Sequence, residues 1–149
     1  MFFYKEQKLL PYSCEKLFSI VKDIEKYPEF IPWCKNIEIL ERKRNSVTAK
    51  VTIGNKLIED FYICKVHFVK NKSISITNVS GILSLLKAEW RFKPKSKKSC
   101  IVEIEIEFSF KSKLFNKAMM HGFDYVAKQI TNAFEKRAKQ LNQHFLLPA

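Results

Sequence analysis

Residues 100–110 read Cys100-Ile101-Val102-Glu103-Ile104-Glu105-Ile106-Glu107-Phe108-Ser109-Phe110, and their alternation decides the fold. Val102, Ile104, Ile106, Phe108 and Phe110 fall on one face; Glu103, Glu105, Glu107 and Ser109 fall on the other. A period of two with one apolar and one charged face is an antiparallel strand with one wet side. The same alternation makes the three glutamates a solvated face rather than a metal or acid–base cluster. The period then changes. Over 114–145, Phe115, Met119, Gly122, Phe123, Val126, Ile130, Ala133, Phe134, Arg137, Leu141 and Phe145 recur at helical spacing, with Lys117, Lys128, Lys136 and Lys139 opposite. A helix of that extent is about 45 Å long and is the one element able to cover a sheet's apolar face.

Working back from this pair, strands are expected over 2–10, 35–43, 46–54, 57–70, 72–79 and 87–94, besides 100–110. Asn45-Ser46, Gly54-Asn55 and Asn71-Lys72 read as hairpin turns. Pro11 ends the first strand, and Ser13 is an N-cap for a helix over 14–24 whose apolar face is Leu17, Phe18, Ile20, Val21 and Ile24. The segment Tyr27-Pro28-Glu29-Phe30-Ile31-Pro32-Trp33-Cys34 follows, and its two prolines deny it a long helix. The order strand, helix, six strands, long helix predicts an α+β fold, a curved six- to seven-stranded antiparallel sheet gripping the C-terminal helix. Pattern alone leaves open whether the space between them is packed or hollow.

The 149 residues amount to one domain, expected over 1–149. They are 46% hydrophobic with 3 glycines and 5 prolines, which excludes disordered and collagen-like chains. No apolar run approaches the ~18 residues of a membrane span, mean hydropathy is −0.20, and the first residues do not read as a signal peptide. A cytoplasmic location is expected, with the inner face of the plasma membrane as a peripheral site. The formal charge is +12, from 27 Lys and Arg against 15 acids. A polyanionic partner, RNA or an anionic membrane surface, suits that excess, and so does plain solubilisation of a Phe-rich chain. Lys87, Lys117, Lys128 and Lys136 are the candidate polyanion contacts.

Cys14, Cys34, Cys64 and Cys100 show no C-x-x-C spacing and no neighbouring histidine, so no metal site is expected. Nor is a disulfide framework expected in a cytosolic chain of this size; such cysteines are mostly buried small hydrophobes. His67, His121 and His144 are scattered. There is no P-loop, no G-x-S-x-G and no H-E-x-x-H, so no enzyme activity is assigned. Aromatic residues are the informative class. Phe61, Trp90 and Phe108 in the strands, Met119, Phe123, Val126 and Ile130 in the helix, and Phe30 and Trp33 in the Pro-bent segment are the candidate lining of a ligand cavity. Its mouth would lie between that segment and the Gly81–Leu86 connection, and an ordinary packed core is the competing reading.

The string Leu17-Phe18-x-x-Val21-x-Asp23-x-Glu25-x-Tyr27-Pro28-x-Phe30-Ile31-Pro32-Trp33-Cys34 closely resembles the opening signature of the coenzyme Q-binding START-domain and ribosome-association toxin family, within the polyketide cyclase-like, Bet v 1-like superfamily. The likeness continues through Trp90-x-Phe92-x-Pro94, Val102-Glu103, Phe108-x-Phe110-x-Ser112-Lys113-Leu114 and Ala133-Phe134-Glu135-Lys136-Arg137-Ala138. It departs over Gly54–Val66 and at Ile82. The resemblance implies a helix-grip fold. It also implies one of two roles: binding ubiquinone or a related polyprenyl quinone in the sheet–helix cavity in support of respiration, or binding the large ribosomal subunit and blocking subunit joining. The quinone would be a bound ligand, and no redox cofactor is implied. An enzyme acting on a polyketide-like ring would need a base or nucleophile that no motif supplies.

Overall fold

The computed structural model of the chain describes residues 1–54, 57 and 59–146, the last four as backbone alone. The expected turn residue Asn55 and the side chains of His144 and Phe145 lie outside the described residues. Seven strands form one sheet: β1 (Phe2–Leu10), β2 (Cys34–Arg42), β3 (Ser46–Gly54), β4 (Glu59–Val69), β5 (Ser73–Gly81), β6 (Leu83–Ser96) and β7 (Ser99–Phe110). Their order is β1-β7-β6-β5-β4-β3-β2, with every neighbouring pair antiparallel. β2 to β7 are a meander, and β1 pairs with β7 from Phe2 opposite Phe108 to Leu10 opposite Cys100. Register shifts interrupt β2, β5 and β6, and such bulges bend and twist a sheet.

The alternation read from β7 holds on both faces. Val102 and Ile104 are buried inside. Outside, Arg91 spans Glu89, Glu103 and Glu105 at 3.2–3.5 Å, while Lys5 meets Glu105 at 3.2 Å and Lys93 meets Glu103 at 3.0 Å. Exposed pairs of this kind contribute little each; their effect is to fix which face is wet. β6 begins at Leu83, which pairs with Phe110. The expected Gly81–Leu86 connection is therefore a tight turn at Gly81–Ile82 followed at once by strand.

Helix α1 (Cys14–Lys22) starts as expected, with the Lys16 amide donating to Ser13 Oγ at 3.2 Å. It stops at Lys22, and a 3-10 segment, Ile24–Glu29, takes over and holds Pro28. The single long C-terminal helix is corrected to two: α2 (Lys113–Met119) and α3 (Phe123–Leu146). The break falls at residues 120–122, where the Gly122 amide donates to the Met119 carbonyl at 3.0 Å, and Asn116 in α2 bonds to the sheet. It accepts from the Phe110 amide at 2.8 Å and donates to the Phe110 carbonyl at 2.9 Å. The buried stripe of α3 is Phe123, Ala127, Thr131, Phe134 and Ala138. Val126 and Ile130 flank that stripe, half-buried, rather than forming its centre. Small residues on the stripe let the helix approach the sheet closely.

The cysteine expectation also needs correction. Cys14 and Cys100 form a disulfide, their Cα atoms 5.1 Å apart, which ties the start of α1 to the start of β7. Eighty-six residues separate them, and only the folded topology brings them together. Cys34 and Cys64 are free, and Cys64 is buried in the core.

Gly81 occupies a position only glycine fits. Its φ is +107°, and a Cβ there would sit 2.6 Å from the Phe61 carbonyl oxygen and 2.6 Å from the Tyr62 Cα. Gly122 has nothing within 4 Å of such a Cβ. Gly81→Ala is expected to lower unfolding free energy by about 3 kcal/mol, and Gly122→Ala by less than about 0.5 kcal/mol, in urea titrations. Equal effects would contradict the assigned turn.

Candidate functional site

The concave face of the sheet, α1 and α3 enclose an apolar cleft. Phe134 is its hub: ring centroids lie 4.9 Å away for Trp90, 5.2 Å for Tyr27 and 5.3 Å for Phe30. Arg137 sits 4.9 Å over the Phe30 ring and pairs with Glu29 at 3.3 Å, so α3 holds the Pro-bent segment in place. A second aromatic cluster surrounds Phe123 at the start of α3, with Phe108 at 4.8 Å and Phe2 at 5.3 Å. The cavity left in the cleft is about 40 Å³, lined by Leu17, Ile20, Val21, Trp90, Phe92, Val102, Ile104 and Phe134. That is room for a water molecule or two. Side chains fill most of the cleft in this structure.

Its polar wall is a latch between β1 and α3. Glu6, Lys8, Thr131 and Glu135 line the same cavity. Thr131 Oγ1 donates to Glu6 Oε2 at 2.9 Å, and the Tyr4 hydroxyl donates to the same oxygen. Lys8 reaches Glu6 at 3.1 Å and Glu135 at 2.8 Å, and Lys128 reaches Glu6 at 3.5 Å. Burial pushes the Glu6 carboxyl up, but hydrogen bonds from Tyr4, Thr131 and Lys8 overcome it and hold the group at about 2. Burial alone raises the free thiols, Cys34 to about 11 and Cys64 to about 12, so neither is a ready nucleophile at neutral pH. Among the described residues no three His, Cys, Asp or Glu side chains gather to hold a metal ion.

The expected cavity residues are divided by this arrangement. Trp90 lines the cavity, Phe30 packs on its hub, and Phe108 and Phe123 form the second cluster. Val126 and Ile130 flank the helix stripe, and Met119 is half-buried on α2. Phe61 does not face the cleft. It pairs with Thr52 on the convex side beneath Lys50, at 4.5 Å, and Tyr62 takes the inward place. Trp33 is 45% exposed and adopts φ +65°, which turns the backbone into β2.

The register sorts the loops into two ends. At one end lie Trp33, Phe61, Gly81–Ile82 and α2. They are tied by hydrogen bonds from the Gly54 amide to the Trp33 carbonyl at 3.0 Å, from Ile82 to Phe61 at 3.2 Å and from Lys111 to Ile82 at 2.9 Å. Trp33, Phe61, Leu114, Phe115, Met120 and Tyr125 are exposed on this rim. The expected polyanion lysines do not converge. Lys87 is on the convex face opposite Glu107, Lys117 is on α2, Lys128 joins the latch, and Lys136 is exposed further along α3. Sequence reading missed Glu6, Lys8 and Thr131. Their signal was present as polar residues at inward positions of β1 and on the helix stripe.

A carboxylate held low in the folded state stabilises it above the unfolded carboxyl range, and this contribution is lost as pH falls through the folded value. Glu6 therefore stabilises the latch fully above about pH 5 and progressively less toward pH 2, by about 2 kcal/mol after solvent screening. Glu6→Gln is expected to be less stable at pH 7 and to show a flatter stability profile between pH 5 and pH 2. Parallel profiles for the two proteins would show that the latch is not formed.

The family model described as polyketide cyclase / dehydrase and lipid transport matches residues 10–135. The chain is 32% identical over 133 residues to the ribosome association toxin RatA of Escherichia coli, covering 89% of this chain and 84% of that one. It is 29% identical over 142 residues to the coenzyme Q-binding protein COQ10 homolog B of Xenopus laevis, spanning 93% of this chain and 58% of that one. A START superfamily protein from Mycobacterium smegmatis shares the fold, with a TM-score of 0.79 at 19% identity over 93% of this chain and 98% of that one. Seven antiparallel strands clasping a C-terminal helix, the Pro-bent aromatic segment docked on that helix, and these matches together place the chain in the polyketide cyclase / dehydrase and lipid transport family.

Proposed function

We propose that the protein is a carrier of a lipophilic ligand of the polyprenyl quinone class, held between α3 and the concave face of the sheet, and that it binds this ligand without transforming it. One observation carries the reading: the two aromatic clusters along α3 continue, at the helix's first turn, into the exposed apolar rim. The name of the COQ10 relative is in keeping with this ligand class. A prenylated ring is far larger than the present cavity of about 40 Å³, so loading requires the cleft to widen. α2 is the element that gives way most easily, because none of its residues is buried. Lys111, Lys113 and Lys117 are exposed beside Leu114 and Phe115, which is the pairing of charge and apolar tips that suits an anionic membrane surface. No helix among the described residues is long and apolar enough to cross a membrane.

The second reading is association with the large ribosomal subunit. It is favoured by the near full-length match to ribosome association toxins and by the +12 charge. The two readings use different chemistry and are not exclusive.

The test of the first is extraction. Protein purified from a quinone-producing host is expected to yield a prenylated quinone by mass spectrometry. Trp33→Ser with Phe61→Ser should slow vesicle-to-vesicle quinone transfer several-fold with an unchanged melting temperature. A protein that carries no prenyl lipid and extracts none from quinone-loaded vesicles would refute the reading.

A further inference from the structure

The end of the sheet opposite the apolar rim has its own chemistry. The β2–β3, β4–β5 and β6–β7 turns all lie there, bound together by hydrogen bonds from the Phe68 amide to the Asn45 carbonyl and from Phe92 to the Lys72 carbonyl, each 2.8 Å. The turn residues are Lys43-Arg44-Asn45, Lys70-Asn71-Lys72 and Lys95-Ser96-Lys97-Lys98, and every one of their cations is exposed. Among the described residues only Lys43 of this set meets a carboxylate, Glu41 at 3.2 Å. Alternate turns of a meander are two strand spacings apart, so these three span an arc of about 20 Å.

Beside the arc is a groove of about 350 Å³ between α1 and the first two turns. Lys22, Arg44 and Lys70 stand around it, and the buried rings of Phe18 and Phe68 form its floor. Lys22 Nζ lies 5.6 Å over the Phe68 ring. Asn45 and Asn71 contribute amides, and Glu15 on the α1 wall offers an acceptor. The groove is of nucleotide size and combines cations for a phosphate with amide and carboxylate groups for a base or ribose edge.

We infer that this basic end is an RNA-binding surface, in which the three turns follow the phosphate backbone of a folded RNA and the groove beside α1 seats one nucleotide. The inference deepens the ribosome-association reading by naming its surface. Charge complementarity selects the partner. Phosphates recur every few ångströms along a nucleic acid, and an arc of lysines neutralises several at once. A membrane is the poorer fit, because the turns themselves hold only Lys, Arg, Asn and Ser, and the exposed apolar residues nearest them, Val69 and Leu9, are aliphatic strand residues rather than aromatic loop tips. The exposed aromatic and Met tips are at the other end of the molecule.

The test compares two charge-matched variants for binding to purified large ribosomal subunits and to isolated ribosomal RNA across a salt series. The first carries Lys70→Gln, Lys72→Gln, Lys97→Gln and Lys98→Gln; the second carries Lys87→Gln, Lys117→Gln, Lys136→Gln and Lys139→Gln, all exposed and outside the latch. The first is expected to bind at least about tenfold more weakly and to lower the slope of log affinity against log salt by about 3, while the second changes affinity less than about threefold. Melting and quinone retention of the first variant should match wild type. Wild-type-like binding by the first variant, or an equal loss in the second, would overturn the inference and leave ribosome association standing. A wild-type protein that binds neither subunits nor RNA would overturn both.

Discussion

One helix must cover the concave face of a seven-stranded sheet, and the rest of the structure follows from how it does so. α3 lies close because its central contacts are Ala127, Thr131 and Ala138 instead of larger side chains. Close approach shrinks the interior to about 40 Å³ and brings Thr131 within hydrogen-bonding reach of Glu6. It also sets Phe134 against Trp90, Tyr27 and Phe30, so that the Pro-bent segment becomes a wall of the cleft. The polar latch brings a half-buried carboxylate, Glu6, into this interface, and it is satisfied by four partners, Tyr4, Lys8, Lys128 and Thr131. A buried carboxylate without such partners would cost several kcal/mol. The latch therefore gives the closed helix position a specificity that apolar packing alone would lack.

Topology supplies the second constraint. In a meander, successive turns alternate between the two ends of the sheet. Here one set of ends carries aromatic and Met side chains together with Lys111, Lys113 and Lys117, and the other carries the turn cations with no exposed aromatic or Met tip, with the α1 groove beside them. The excess charge of +12 is thus not spread as a uniform coat. The proposed lipid route and the proposed polyanion surface lie at opposite ends and do not overlap.

The architecture was legible because its signals are local. Alternation in 100–110 and in 46–54 located β7 and β3 to within a residue, the Phe, Tyr and Leu content of 2–10 before Pro11 located β1, and Ser13 located the start of α1. What stayed hidden depends on contacts between distant segments. The helical pattern runs without a gap through Met120-His121-Gly122, so the break between α2 and α3 is not marked in it. The Cys14–Cys100 disulfide joins two elements 86 residues apart. Phe61 was misplaced because register decides its face, and one residue of slip exchanges it with Tyr62. Aromatics such as half-buried Phe30 and exposed Trp33 could be nominated from composition, but not sorted into cleft and rim. The basic end was written in the turns, most densely in Lys95-Ser96-Lys97-Lys98, but pairing order is what assembles them.

Segregation of the two ends can be read directly by hydrogen–deuterium exchange of the wild-type protein, recorded alone, with quinone-loaded vesicles and with purified large ribosomal subunits. Vesicles are expected to protect peptides spanning Trp33, Phe61, Gly81–Leu83 and 113–122. Ribosomal subunits are expected to protect 43–45, 70–72 and 95–98. Coincident footprints at either end, or protection confined to the outer face of α3 in both, would contradict the two-ended account.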